Sequence, residues 1–270
     1  MKLAAVQLRS GTDIDANVAS ASTLIRRAAK QGASFIATPE MTNIIQRSPK
    51  RLHAAIKPMD AAPELTAFAA LAKELEVDLL IGSMAFKSAE QRAVNRAVLF
   101  NREGEVVTHY DKIHLFDVTI SRAETWKESN VYDRGTKAVR ADITDAKLGL
   151  SICYDIRFPK LYQGYAQQGV QIIAAPAAFT VPTGEAHWET LLRARAIETG
   201  SFIIAPAQGG EHTDGRTTWG RSMIIGPWGD IRAVIDNDEP GFCMAEIDLL
   251  DVESARAKIP AWNYIPDFTQ

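Results

Sequence analysis

Lys147-Leu-Gly-Leu-Ser-Ile-Cys-Tyr-Asp-Ile-Arg-Phe-Pro159 runs from an apolar stretch through a lone cysteine to a proline. The residues before Cys153 read as a buried strand, and Pro159 is placed to start a helix. Cys153 therefore opens a strand-to-helix junction, where outward-pointing backbone N–H groups favour a thiolate. The same position also suits an inert thiol, because free cysteine is among the most buried residue types. Strand, turn and helix in succession mark an α/β unit.

Outward from this segment the pattern repeats. Leu3 to Leu8 is a short apolar strand, and Asp13 or Asp15 can cap a helix to about Lys30 with Val18, Leu24, Ile25 and Ala28 on one face. Gly32 stops that helix before a strand over 34–38. A helix over 61–76, with Pro63 near its start, precedes a buried strand over 77–82. Residues 93–100 and 105–110 then flank Asn101-Arg-Glu-Gly104 as a β-hairpin, and a second hairpin surrounds Pro227-Trp-Gly-Asp230. Between the hairpins lie helices over 159–168 and 184–200 and strands over 170–174 and 202–205. Crossover units mixed with hairpins predict a mixed sheet. No Ser/Gly-rich linker or repeat interrupts the pattern, so residues 1–270 read as one domain. The aromatic, proline-rich tail from Ile259 to Pro266 is suited to docking on a surface, that of a partner subunit included.

Bulk properties narrow the function. At 270 residues with 46% hydrophobic content the chain can bury a large core, and 30 basic against 33 acidic residues give a net charge of -3. A nucleic-acid footprint would need a clustered basic excess, which is absent. Two cysteines, Cys153 and Cys243, make no disulfide framework and point to a reducing compartment. The apolar N-terminus is too short for a signal peptide, and no stretch approaches the length of a membrane span. The expectation is a cytoplasmic protein bound to neither membrane nor nucleic acid.

A nucleophilic Cys153 needs a base and an oxyanion partner. None of the five histidines lies in a cysteine-protease signature. A carboxylate can replace them if burial raises its pKa towards neutrality. Glu40 follows an apolar strand and Pro39, at a strand end of the kind that faces an α/β crevice, and it would share a rim with Cys153 if their strands ran side by side. Lys112 follows the second strand of the first hairpin and could hold a developing oxyanion. Read singly, Glu40 is equally a solvated loop charge and Lys112 a surface lysine.

Together, Ala37-Thr-Pro-Glu40, Asp111-Lys-Ile-His-Leu115 and Ile152-Cys-Tyr-Asp-Ile-Arg-Phe-Pro159 resemble, in order, the three signatures of the nitrilase superfamily of carbon–nitrogen hydrolases. The resemblance spans nearly the whole chain. It implies an α/β fold, a four-layer αββα sandwich with mixed sheets. It makes Glu40 the general base and acid, Lys112 the oxyanion stabiliser, Cys153 the nucleophile, and Glu128 the residue that orients the lysine. Lys112 and the backbone N–H of Tyr154 would hold the tetrahedral oxyanion, ammonia would leave, and water would cleave the thioester, with no metal or organic cofactor.

The segments Ala177-Ala-Phe-Thr-Val-Pro-Thr-Gly-Glu-Ala-His-Trp188 and Leu192-Arg-Ala-Arg-Ala-Ile-Glu198 resemble the branch of deaminated glutathione amidases and omega-amidases, nearer the former. That implies a small carboxylated α-keto acid amide as substrate, with α-ketoglutaramate or α-ketosuccinamate as alternatives, and a homodimer or larger assembly. By resemblance Tyr154, Arg157, Phe179 and Thr183 contact the substrate. Read structurally, Arg157 would instead pair with Asp155 or Glu198, and Phe179 would be core. Trp188 is expected to pack beneath the site, His187 to be a structural hydrogen-bonder and Cys243 a packed hydrophobe. The segments 117–124 and 209–218 depart from the branch, and such loops commonly set selectivity. Two further readings stand beside the amidase: a catalytically silent binding or scaffold member, and a thiol sensor using Cys153.

Overall fold

The computed structural model describes residues 1–90, 92–120 and 125–264. β1 (Lys2–Gln7) leads into α1 (Ile14–Lys30), whose cap is Asp13: its carboxylate accepts the Ala16 N–H at 3.0 Å. Ala21, Leu24, Ile25 and Ala28 form the buried face of α1. β2 (Phe35–Ala37), α2 (Pro49–Ala55), α3 (Pro63–Leu75) and β3 (Asp78–Lys87) follow, then the hairpin of β4 (Ala93–Phe100) and β5 (Val106–Asp111). A small hairpin pairs β6 (Asp117–Thr119) with β7 (Thr125–Lys127), and β8 (Tyr132–Asp133) ends the first half. The second half runs β9 (Arg140–Ile143), β10 (Ala146–Leu150), α4 (Pro159–Gln167), β11 (Ile172–Ala174), α5 (Val181–Thr199) and β12 (Phe202–Ala205). It continues through β13 (Gly209–Glu211), β14 (Thr217–Trp219), β15 (Met223–Ile225), β16 (Ile231–Val234), β17 (Gly241–Glu246) and α6 (Leu250–Lys258).

Two mixed sheets result, in the orders β17-β1-β2-β3-β4-β5, with β8 beside β4, and β16-β15-β12-β11-β10-β9. Alternation along the strands sorts the side chains into layers. Leu3, Ala5, Phe35, Ala37, Leu80 and Leu99 of the first sheet share a buried cluster with Leu148, Leu150, Ile172 and Ala174 of the second. Ala4, Val6, Ile36, Leu79 and Ile81 instead meet Leu24 and Ile25 of α1 and Phe68 and Leu71 of α3. On the second sheet, Gly149 alternates with Leu148 and Leu150 and admits Tyr165 of α4, so close that a Cβ at Gly149 would lie 2.9 Å from the ring. The order is αββα, as the resemblance implied.

Boundaries differ from the sequence reading where tertiary contacts decide them. The strand expected over 77–82 continues to Lys87 across a register shift between Ile81 and Met84. The long helix begins at Val181, with Pro182 in its first turn, instead of at Gly184. Cys153 to Arg157 form a 3₁₀ turn, and Cys153 takes the left-handed φ of +51°. The tail closes with a 3₁₀ turn at Pro260–Asn263 that packs against α4, α5 and α6, with the Arg256 guanidinium over the Trp262 ring. Residues 265 and 266 of that tail lie outside the described residues. No helix among the described residues is long and apolar enough to cross a membrane.

Candidate active site

Glu40, Lys112 and Cys153 hang from strand ends of two sheets. β2 ends at Ala37, and Thr38 to Asn43 fold over the middle of β3, at its register shift: the Met41 N–H donates to Ser83 Oγ at 2.9 Å and the Thr42 N–H to the Ser83 carbonyl at 2.8 Å. Gln208 pins the same loop from the other half of the chain, donating to the Glu40 carbonyl at 3.0 Å. Lys112 is the first residue past β5, and its N–H donates to the Asn95 carbonyl of β4 at 3.0 Å. Cys153 follows β10, with its N–H on the Pro176 carbonyl at 2.8 Å. The two strands thus face each other from different sheets instead of running side by side on one rim. The sheets are stitched at this end, where the Gly209 N–H donates to the Leu8 carbonyl at 2.8 Å.

Asp155 ties the two sides together. Its carboxylate accepts from the Ile152 N–H at 2.8 Å, the Tyr110 hydroxyl at 2.7 Å and the His114 N–H at 3.0 Å, and it contacts His114 Nδ1 at 2.7 Å. Tyr110 and His114 straddle Lys112, so the cysteine turn and the lysine strand end share one buried anchor. The expected Arg157 pairing does not occur: Asp155 is occupied in this way, and Glu198 pairs with Arg195 at 2.5 Å.

Buried Lys112 bridges two carboxylates, with Nζ 2.8 Å from Glu40 Oε1 and 2.9 Å from Glu128 Oε2. Glu128 also accepts the Phe116 N–H at 2.7 Å. Asn95, which sequence reasoning missed, donates from Nδ2 to Glu40 at 2.9 Å and to Glu128 at 3.3 Å. Glu40 and Lys112 act electrostatically on the Cys153 thiol from across the site, and the Ala178 backbone N–H favours its ionised form.

The electrostatics depart from the sequence expectations at two groups. Burial drives the Glu40 carboxyl upward, but the charge and hydrogen bond of Lys112, with smaller contributions from Cys153 and Asn95, outweigh it and hold Glu40 below the ordinary carboxylate range. Burial and the adjacent Glu40 charge push the Cys153 thiol well above its usual range, against the pull of Lys112, so no resting thiolate forms at this junction. For Lys112 burial acts downward, but Glu128 and Glu40 prevail and raise its pKa well above the usual lysine value. The site gathers a carboxylate, an ammonium and a thiol around one cavity. Such a set can accept a thiol proton, stabilise an oxyanion and return a proton to a leaving group.

These groups line a cavity of about 410 Å³. Phe179 and Thr183 line it too, whereas Tyr154 and Arg157 do not. The Arg157 guanidinium lies 5.3 Å from the Phe179 ring centre and 3.3 Å from His187 Nδ1, behind the cavity wall. Trp188 packs under Phe179 with ring centres 4.9 Å apart, and its indole N–H donates to the Arg221 carbonyl. Trp126, Arg47 and Arg216, which the motifs did not flag, complete one side of the lining. Cys243 is buried in β17 with its thiol on the Ser222 carbonyl, and burial pushes its pKa up to about 12.

Comparison with known proteins agrees with this architecture. The carbon–nitrogen hydrolase family model matches residues 2–257. A deaminated glutathione amidase from Synechocystis is 37% identical over 265 residues, covering 97% of this chain and 96% of that protein. The human deaminated glutathione amidase is 37% identical over 267 residues, covering 97% and 81%. The crystal structure of the Caenorhabditis elegans NitFhit protein superposes with a TM-score of 0.90 at 32% identity; the match covers 98% of this chain but only 64% of that longer one. Saccharomyces cerevisiae Nit3, a member of branch 10 of the nitrilase superfamily, gives a TM-score of 0.86 at 27% identity, covering 96% and 94%. With the family model matching almost end to end and two such relatives aligned over 97% of its length, the chain belongs to the carbon–nitrogen hydrolase family.

Proposed function

We propose that this chain is a cysteine-dependent amidase working through Glu40, Lys112 and Cys153, with Glu128 orienting the lysine and all of residues 1–270 acting as one domain. The observation that carries the reading is the bridge of Lys112 between Glu40 and Glu128, with Cys153 lining the same cavity. Glu40 takes the thiol proton as sulfur attacks the amide carbonyl. An ammonium has three N–H donors, and two of those on Lys112 are engaged by the carboxylates. The third, with the Tyr154 N–H, receives the oxyanion. Glu40 then protonates the leaving nitrogen, the C–N bond breaks, and an acyl thioester remains on Cys153. Water that gives its proton to Glu40 attacks the thioester, releasing the acid and restoring the thiol. No cofactor takes part.

The relatives named deaminated glutathione amidase support that compound as substrate. Its scissile amide joins a 2-oxoglutaryl group to cysteinylglycine, so the leaving amine there is the dipeptide; ammonia leaves when the substrate is a primary amide such as α-ketoglutaramate. Cys153→Ala is expected to abolish hydrolysis of both compounds with the fold intact. Rapid quench of the unaltered protein should trap a 2-oxoglutaryl adduct on Cys153, seen by mass spectrometry. Full turnover by the Ala variant would overturn the reading. Inertness of the unaltered protein towards both amides, with Cys153 still alkylatable, would make it a silent member.

A further inference from the structure

The charged side chains on the cavity wall are Glu40, Lys112, Glu128, Arg47, Lys127 and Arg216. The first three are spent on one another, which leaves cations on the opposite side of the lining. Arg47, just before α2, and Arg216, in the hairpin between β13 and β14, come from distant parts of the chain and meet at one indole. Their guanidinium carbons lie 5.4 and 4.8 Å from the Trp126 ring centre. Arg47 is exposed and forms no ion pair among the described residues. Arg216 is mostly buried, its Nε finds no hydrogen-bond partner among the described residues, and its contact with Asp214 is loose at 3.9 Å.

Arg216 lines the cavity with only a loose carboxylate contact, so its terminal N–H groups have hydrogen-bonding capacity to offer a ligand. Contact with an aromatic face holds a guanidinium without consuming its in-plane N–H groups, which stay free to grip a carboxylate by two parallel bonds. We propose that Arg216 and Arg47, seated on Trp126, form a carboxylate-binding clamp that selects amides bearing an anionic group. The clamp gives the site its preference for carboxylated over neutral amides, and unlike Arg157 its two arginines line the cavity. It rests on the amidase reading for its biological meaning but not for its test.

Binding is measured by calorimetry in the Cys153→Ala background, where nothing turns over. The probes are 2-oxoglutarate, deaminated glutathione and, as the neutral control, dimethyl 2-oxoglutarate. Adding Arg216→Gln should weaken at least one anionic probe by about tenfold or more, as expected for a charged hydrogen bond, and Arg47→Gln should weaken it less, while the ester is unaffected. Arg47 is exposed, and its contact with the Trp126 ring is the one hydrogen-bonding, ionic or ring contact of its side chain among the described residues. Arg216→Lys keeps a cation beside Asp214 and should fall between parent and Gln, because a lysine lacks the planar fork. Equal affinity of both anionic probes for parent and variants, or no binding of either to the parent, overturns the clamp. If clamp-dependent binding appears while the unaltered protein hydrolyses no amide, the amidase reading falls and the clamp stands.

Discussion

Glu128 has a job distinct from that of Glu40 although both touch the same ammonium. One oxygen of Glu128 accepts the Phe116 N–H while both face Lys112 Nζ. Glu128→Gln keeps the volume but leaves one acceptor oxygen for three donors, Lys112, the Phe116 N–H and Asn95, and brings an N–H₂ among them. The expected outcome is a fall in kcat of about 10²-fold, the scale of losing one aimed oxyanion donor, with KM little changed where the proposed arginine clamp holds the substrate. Steady-state kinetics on deaminated glutathione checks it, and an unchanged kcat would reduce Glu128 to a structural contact. Cys153, Glu40 and Lys112 were legible in the sequence through the order of their three motifs, since read singly each has a bland alternative. Asn95 was not, since whether a polar residue inside β4 points at the site or into a sheet edge depends on the register with β3 and β5. Arg216 was hidden for a related reason: only the hairpin brings it over Trp126.

At the scale of elements, the register shift in β3 has a purpose that alternation alone does not reveal. Gly82 lies inside it, where the Thr38 carbonyl of the Glu40 loop and Pro176 of the segment that holds the Cys153 N–H both close on its Cα. A Cβ there would lie 1.9 Å from the Thr38 oxygen and 2.4 Å from Pro176 Cβ. Neither neighbour is the far end of a flexible chain, so both strand ends must move. Gly82→Ala should lower stability by roughly 1–3 kcal/mol, as overpacking does, and lower kcat by about 10²-fold through displacement of the carboxylate from the thiol. Denaturant unfolding and kinetics on one preparation test this; unaltered kcat would mean that the loops absorb the methyl group without moving Glu40. The elements themselves were readable where caps and prolines punctuate them: Asp13, Pro63 and Pro159 mark helix starts within a residue or so. The 3₁₀ turn at Cys153 was not readable, because its left-handed φ follows from Asp155 accepting the Ile152 N–H and from Pro176 holding the Cys153 N–H.

Across the whole molecule, Glu40 and Lys112 come from one sheet and Cys153 from the other, so packing between the sheets and the charge balance of the site are one problem. Local sequence pattern shows that strands form and which residues they bury, but it does not say which sheet each strand joins. The condition for Glu40 and Cys153 to share a single rim, strands side by side, is not met, because β2 and β10 lie in different sheets. Their approach depends on the shared cluster in which Leu3, Phe35 and Leu80 meet Leu148, Leu150 and Ile172. This arrangement predicts a reversal of pH dependence. In the unaltered protein Lys112 holds Glu40 below its unfolded pKa, so Glu40 contributes stability above the unfolded value, and that contribution is lost as pH falls through the lower, folded one. Lys112→Met removes the cation, leaving burial, the largest influence on Glu40, opposed chiefly by the Asn95 hydrogen bond and reinforced by the nearby Glu128 carboxylate. The folded pKa of Glu40 then lies above the unfolded one, and its contribution is present at acid pH and lost as pH rises through the folded value. The variant should lose about 3–5 kcal/mol at neutral pH, the usual consequence of stranding a buried charge, and recover part of it on acidification towards about pH 5, where a buried carboxyl can take up a proton. Urea unfolding of both proteins at a series of pH values measures the difference. Parallel stability curves would mean that Lys112 does not set the charge state of Glu40.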